Sequence, residues 1–312
     1  MILSCGEALV DLVPVAVEGE VAFLPRLGGS PYNVAIGLAR LGVDAGYLGR
    51  VSRDRFGRQL LDRLSAEGVE RRHVVEGDEP TTLAVVHLGE RGEPDFAFYG
   101  EGTADRLLAP GDLPDLNKDI TTLHLGSISL VREPGASTYE ALMRREHRRR
   151  VLSLDPNVRA SLIPDHDAYL ARLEAWVSLV DLVKLSRADL AWLYPDADPV
   201  DAARRWLGLG PAVVVVTLGA DGSAALTASG DVEVAGVAVD VVDTVGAGDA
   251  FTAALLAWLD ERRRLTRSGL LALGRDELAA CLAFAGRGAA LTCTRAGAEP
   301  PTRPELEGMA AV

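Results

Sequence analysis

Short apolar runs rich in Val, Ile and Leu recur along this chain, with segments of helical period between them. ILSCGEAL, AGYLGRVS, TTLHLGSIS, RVLSLDPN, VDLVKLS and AVVVVTLG read as strands, whereas NVAIGLARLG, RFGRQLLDRLSAEG and DAFTAALLAWLDERRR repeat as helices do. Few folds accept this alternation. A buried strand followed by a crossover helix returns as a parallel strand, so the pattern predicts a three-layer α/β/α fold with a mostly parallel central sheet. Ligands then gather beyond the carboxyl ends of the strands. Two stretches depart from the alternation, TTLAVVHLGERGEPDFAFYG and VVVVTLGADGSAAL, where period two surrounds a Gly-containing turn as in hairpins. The first, together with Asp11 to Leu27, is expected to form a small antiparallel β lid over the active edge, drawn from about 12–27 and 81–101. No linker and no internal repeat interrupts the chain, so residues 1–312 are read as a single domain.

Composition narrows the partners. The net charge of -13 argues against nucleic acid, whose backbone selects a basic face. The runs RREHRRR and ERRR read as solvated helix ends. The start, MILSCGEALVDL, lacks the pattern of a signal peptide, and no apolar run reaches the roughly 18 residues of a membrane span, so a cytoplasmic protein is expected. Cys5, Cys281 and Cys293 have no metal-type spacing and read as small buried residues.

The stretch DTVGAGDAF, Asp243 to Phe251, carries the chemistry. Gly246, Ala247 and Gly248 leave the backbone bare just where an apolar helix begins. Unpaired amides and the positive end of the helix dipole suit a phosphate whose charge rises during transfer, and Asp249 beside them can accept a hydroxyl proton. Asp is also a favoured helix cap, so this motif alone leaves a plain capped turn open.

Two signatures resolve that choice. DTVGAGDAF and GGSPYNVAIGLARLGVDAGYLGRVSRDRFG, about two hundred residues apart, together resemble the ribokinase-like, or PfkB, family of sugar kinases, and the intervening strands match nearly throughout. The resemblance implies ATP-dependent phosphoryl transfer to a small sugar, with Asp249 as base and the amides of Gly246, Ala247 and Gly248, assisted by Arg159, holding the migrating charge. It implies a sugar site made by Asp11, Gly28, Gly29, Asn33 and Asn157, under a flap that places Tyr99 near the substrate. Alternation favours ordinary packing for Phe96 and Phe98. The nucleotide is expected at Lys184, Thr217, Gly219, Gly222, Thr244, Gly246 and Gly248.

Mg²⁺ is the expected divalent ion. The family commonly has an N-x-x-E arrangement where this chain has Ser186 and Asp189, so Asp189 is assigned only a water-mediated contact. The resemblance further implies a monovalent cation such as K⁺ near Asp243, and a homodimer formed through the lid. Within the family, GEALVDLVP, FAFYGEGTADRLL, HLGSISL and SLDPNVR are most similar to members acting on fructose. 2-keto-3-deoxygluconate, ribose and nucleosides are the alternatives inside the fold. A non-catalytic sugar or nucleotide sensor is the alternative outside enzyme chemistry. A dinucleotide oxidoreductase is disfavoured, because no G-x-G-x-x-G run links the first strand to its helix.

Overall fold

The computed structural model describes residues 1–88 and 94–309. The strands in chain order are β1 (Ile2–Cys5), β2 (Leu9–Val17), β3 (Glu20–Gly28), β4 (Ala45–Ser52), β5 (Glu70–Gly77), β6 (Leu83–Leu88), β7 (Pro94–Tyr99), β8 (Thr122–Gly126), β9 (Val151–Asp155), β10 (Leu182–Ser186), β11 (Val213–Thr217), β12 (Ser223–Thr227) and β13 (Gly230–Val234). The helices are α1 (Ser30–Arg40), α2 (Arg55–Ala66), α3 (Gly135–Glu146), α4 (His166–Val177), α5 (Arg187–Leu193), α6 (Pro199–Leu207), α7 (Ala247–Glu261), α8 (Arg267–Leu271), α9 (Arg275–Cys293) and α10 (Arg303–Gly308). Nine strands form one sheet in the order β13-β12-β11-β10-β9-β8-β1-β4-β5. All neighbours from β11 to β5 run parallel, and β12 alone is reversed, pairing antiparallel with both β11 and β13.

Both faces of this sheet are covered because its strands are apolar on both sides. Successive residues point to opposite faces, so Ile2, Val213 and Val215 enter a core with α1, α7 and α9, while Leu3, Val214 and Val216 enter another with α3, α4, α5 and α6. Helix α7 is buried from Asp249 to Leu259, as its largely apolar sequence requires. The three-layer expectation is met. The RREHRRR run is less solvated than its charge implies: Arg145 and Arg150 lie against Glu146, which is buried at the end of α3.

The lid is a four-stranded sheet of order β3-β2-β6-β7. The run ILSCGEAL is not one strand. It leaves the main sheet after Cys5, bends through Gly6–Ala8 and enters the lid at Leu9. The expected antiparallel lid is in fact mixed, because β2 pairs with β6 in parallel while β2–β3 and β6–β7 are hairpins. The turn of the second hairpin falls outside the described residues. Of the three cysteines, Cys5 and Cys281 are buried and Cys293 only partly so; none forms a disulfide.

Candidate active site

The carboxyl ends of the parallel strands, the start of α7 and the inner face of the lid enclose a cleft of about 250 Å³. Gly246 caps α7 in the left-handed conformation, at φ 78°. A Cβ there would stand 2.5 Å from that of Ala298, so only glycine fits in both torsion and space. Ala247 N donates to Thr244 O at 3.2 Å, whereas the amides of Gly246, Gly248 and Asp249 meet no backbone acceptor among the described residues. This corrects the anion corner read from sequence. The turn consumes the Ala247 amide, and Asp249 N takes its place among the open donors.

Asp249 lies in the first turn of α7, yet it caps nothing. Its Oδ1 accepts from Ser30 Oγ at 2.6 Å and its Oδ2 from Asn33 Nδ2 at 2.8 Å, so both oxygens are clamped by the first turn of α1. Burial pushes its pKa up to about 6 against the pull of these two donors, with the charge of Asp155 adding to the rise and Lys184 opposing it. Lys184 is itself buried and donates to Asp155 Oδ2 at 2.8 Å. Desolvation pulls its pKa down, but Asp155 more than reverses this, and the ammonium stays charged. A Cβ on Gly248 would lie 3.1 Å from Lys184 Nζ. Lys184 therefore sits beneath the first turn of α7, adding positive charge there without lining the cleft.

Opposite Asp249, the inner face of the lid presents Leu9, Asp11, Phe96 and Phe98 to the cleft. Burial pushes Asp11 up to about 7, the charges of Asp249 and Glu7 add to the rise, and Arg159 counters it. Gly28 pairs with Leu9 across β2–β3, and a Cβ there would meet Asp11 Oδ2 at 2.7 Å. The register of β6 and β7 pairs Ala84 with Phe98 and Val86 with Phe96, so Tyr99 points to the other side. Tyr99 is 66% exposed and absent from the cleft wall. The aromatic assignment from sequence is thus reversed, because period two forces Phe98 and Tyr99 onto opposite faces.

Asn157 and Arg159 reach the cleft from the loop after β9. Arg159 Nη1 donates to Asn157 Oδ1 at 2.7 Å, and its guanidinium lies 6.0 Å from the Phe96 ring centre. Asp189 carries this loop from behind. Its Oδ1 accepts from Val158 N at 2.8 Å, and its Oδ2 from Ser186 N at 2.7 Å and Ser186 Oγ at 2.6 Å, forming a capping box on α5. Asp243 is likewise engaged, accepting from Val245 N at 3.0 Å and Gly297 N at 2.8 Å. Among the described residues, no group of three or more His, Cys, Asp or Glu side chains is placed to hold a metal.

Thr244, Gly246 and Gly248 border the cleft, as does Gly29. Thr217, Gly219 and Gly222 instead stand further along the same edge at the β11–β12 turn, outside the cleft wall. Sequence reasoning missed Glu7, Ser30, Ser127 and Ile128, all of which line the cleft. The signal for Glu7 was present, since GEA sets an acid between apolar strands. Ser30 left no signal, because a serine at a helix start reads as a cap.

The family described as pfkB family carbohydrate kinase matches residues 1–305. The chain belongs to this family. A fructokinase of Rhizobium leguminosarum bv. trifolii is 42% identical over 279 residues, covering 89% of this chain and 85% of that protein. Among solved structures, a fructokinase of Xylella fastidiosa with bound ATP superposes with a TM-score of 0.90 at 30% identity, covering 98% and 97% of the two chains. A fructokinase double mutant from Vibrio cholerae O395, bound to fructose, ADP and potassium, gives 0.85 at 30% identity, covering 99% and 98%. This pfkB chain is an ATP-dependent carbohydrate kinase with the ribokinase-like fold.

Proposed function

We propose that the chain transfers the γ-phosphate of ATP to the terminal hydroxymethyl oxygen of fructose. The observation that carries this reading is the buried Asp249 carboxylate, set beside open amides at the start of α7 and facing Asp11 across the cleft. Asp11, Asn33 and Asn157 orient the sugar, with Gly28 and Gly29 leaving room for it. Phe96 and Phe98 exclude water, and Asp249 takes the hydroxyl proton as the oxygen attacks in line. Negative charge on the transferring group is met by the amides of Gly246, Gly248 and Asp249 and by Arg159, with Lys184 acting from beneath. The ATP relatives named above support a nucleotide site continuing along the strand edge past Thr244 to Thr217, Gly219 and Gly222.

The donors on this chain fit a divalent ion held indirectly. Asp155 is paired with Lys184, and both Asp189 oxygens accept hydrogen bonds, so these two carboxylates would meet Mg²⁺ through its water shell. When bound, Mg²⁺ neutralises charge on the nucleotide phosphates. The potassium in the Vibrio cholerae relative supports a monovalent ion beside Asp243. The outer face of the lid exposes Val21 (73%), Phe23 (47%) and Tyr99 (66%), which supports a homodimer through the lid. Among the described residues no helix is long and apolar enough to cross a membrane, and free cysteines fit a reducing compartment; we place the enzyme in the cytoplasm as one kinase unit.

The deciding experiment measures ADP release with fructose, ribose, tagatose, 2-keto-3-deoxygluconate and nucleosides, with and without K⁺. Highest kcat/KM on fructose is expected. Binding without sugar-dependent ADP release would indicate a sensor, and preference for another acceptor would replace fructose.

A further inference from the structure

We propose that Ser30 is a positioning residue for the phosphoryl transfer: its hydroxyl holds the Asp249 carboxylate in its ionised, proton-accepting form, and Glu7 in turn fixes Ser30. The inference rests on Asp249 being the base. Ser30 Oγ is 2.6 Å from Asp249 Oδ1, and both residues line the cleft. A serine hydroxyl has one proton to give. A carboxylate without a proton can only accept, so while Asp249 is ionised the Ser30 proton lies on that bond and the lone pairs of Oγ stay open.

The place of Ser30 is dictated by a second buried acid. Glu7 is 1% exposed and sits where the chain passes from the main sheet into the lid. Its Oε1 accepts from Ser30 N at 3.1 Å, and its Oε2 from Ser129 N at 3.2 Å and Ser129 Oγ at 2.6 Å. Pro31 follows Ser30 and restricts its backbone in turn. The hydroxyl thus has little freedom, and its aim at Asp249 is set by Glu7, which itself touches no oxygen of Asp249.

The charges around Asp249 explain why such a donor matters. Asp155 from β9 and Asp11 from β2 oppose its ionisation, Lys184 from β10 favours it, and Arg159 and Glu7 act through Asp11. Burial dominates and pushes Asp249 up to about 6, so loss of one donor moves the group toward the pH at which a kinase works. A hydrogen bond to a charged group is strong enough to shift an acidity constant roughly tenfold.

The test titrates the full-length chain labelled with ¹³C at the aspartate carboxyl carbons, the Asp249 signal being identified by its absence in Asp249→Asn. Ser30→Ala is expected to raise the Asp249 midpoint by about one pH unit, roughly a tenfold change, and to move the acid limb of kcat/KM with it. Ser30→Thr keeps the hydroxyl and returns both. A midpoint unmoved in Ser30→Ala, or moved as far in Ser30→Thr, overturns the proposal, and a rate loss equal at all pH values with an unmoved midpoint marks a merely structural serine. Full turnover in Asp249→Asn would instead remove the base assignment, and the titration distinguishes the two failures.

Discussion

Replacing Asp249 by Asn tests stability and chemistry together. The new amide can still accept from Ser30 Oγ, and a flipped Asn33 amide can face it with its oxygen, so the clamp on α1 is geometrically repairable. What disappears is a buried charge. The folded-state pKa of about 6 lies above the ordinary 3.8, a difference of about 2 and hence about 3 kcal/mol at roughly 1.4 kcal/mol for each tenfold change. Between these values the folded chain binds more protons than the unfolded one, so this group lowers stability progressively as pH rises from about 4 through 6. Asp249→Asn should therefore be more stable than the parent by about 3 kcal/mol at pH 8 and nearly equal to it at pH 4. Turnover should fall on the order of 10²- to 10⁴-fold with the loss of the base. Urea unfolding at both pH values, with coupled ADP-release kinetics, supplies both readings. A variant that turns over normally, or whose stability advantage over the parent is no larger at pH 8 than at pH 4, would refute the reasoning.

Three further substitutions probe the surroundings. Gly246→Ala forces a left-handed φ on a residue with a Cβ and drives it into Ala298; it should cost a few kcal/mol and sharply weaken ATP turnover, read by thermal unfolding and kcat. Gly28→Ala crowds Asp11 Oδ2 at 2.7 Å, so the KM for fructose should rise about tenfold or more while ATP affinity by calorimetry stays as it was. Lys184→Met strands the buried charge of Asp155, which should cost about 3–5 kcal/mol in urea unfolding and weaken ADP binding.

The layered fold was readable because β1, β8, β9, β10 and β11 are short Leu- and Val-rich runs buried along nearly their whole length and alternate with segments of helical period. Strands β5 and β13 escaped notice, since ERRHVVEG and GDVEV carry charges suited to positions near the sheet edges. The turn at Gly246 was legible as bare glycine followed by helix. Which of its amides stay open was not, because the Ala247–Thr244 bond depends on how the turn closes. Phe96, Phe98 and Tyr99 show the same limit in the lid: period two was visible, but which face meets the cleft follows from pairing with β6 and β2. Ser30 and Glu7 act through partners 219 and 122 residues away, Asp249 and Ser129, and such distant pairing is written in no local pattern.

Because α1 packs along α7 and clamps Asp249 through Ser30 and Asn33, the working site is assembled from segments made far apart in time. A nascent polypeptide that has emerged through the first signature has the β2–β3 hairpin and its sugar-facing helix, yet lacks the β6–β7 half of the flap, the proton acceptor and the turn at Gly246. The Gly246 turn also packs on Ala298, which is made later still. A fragment that stops before Ala298 would therefore lack part of the packing that holds the turn at Gly246 in shape.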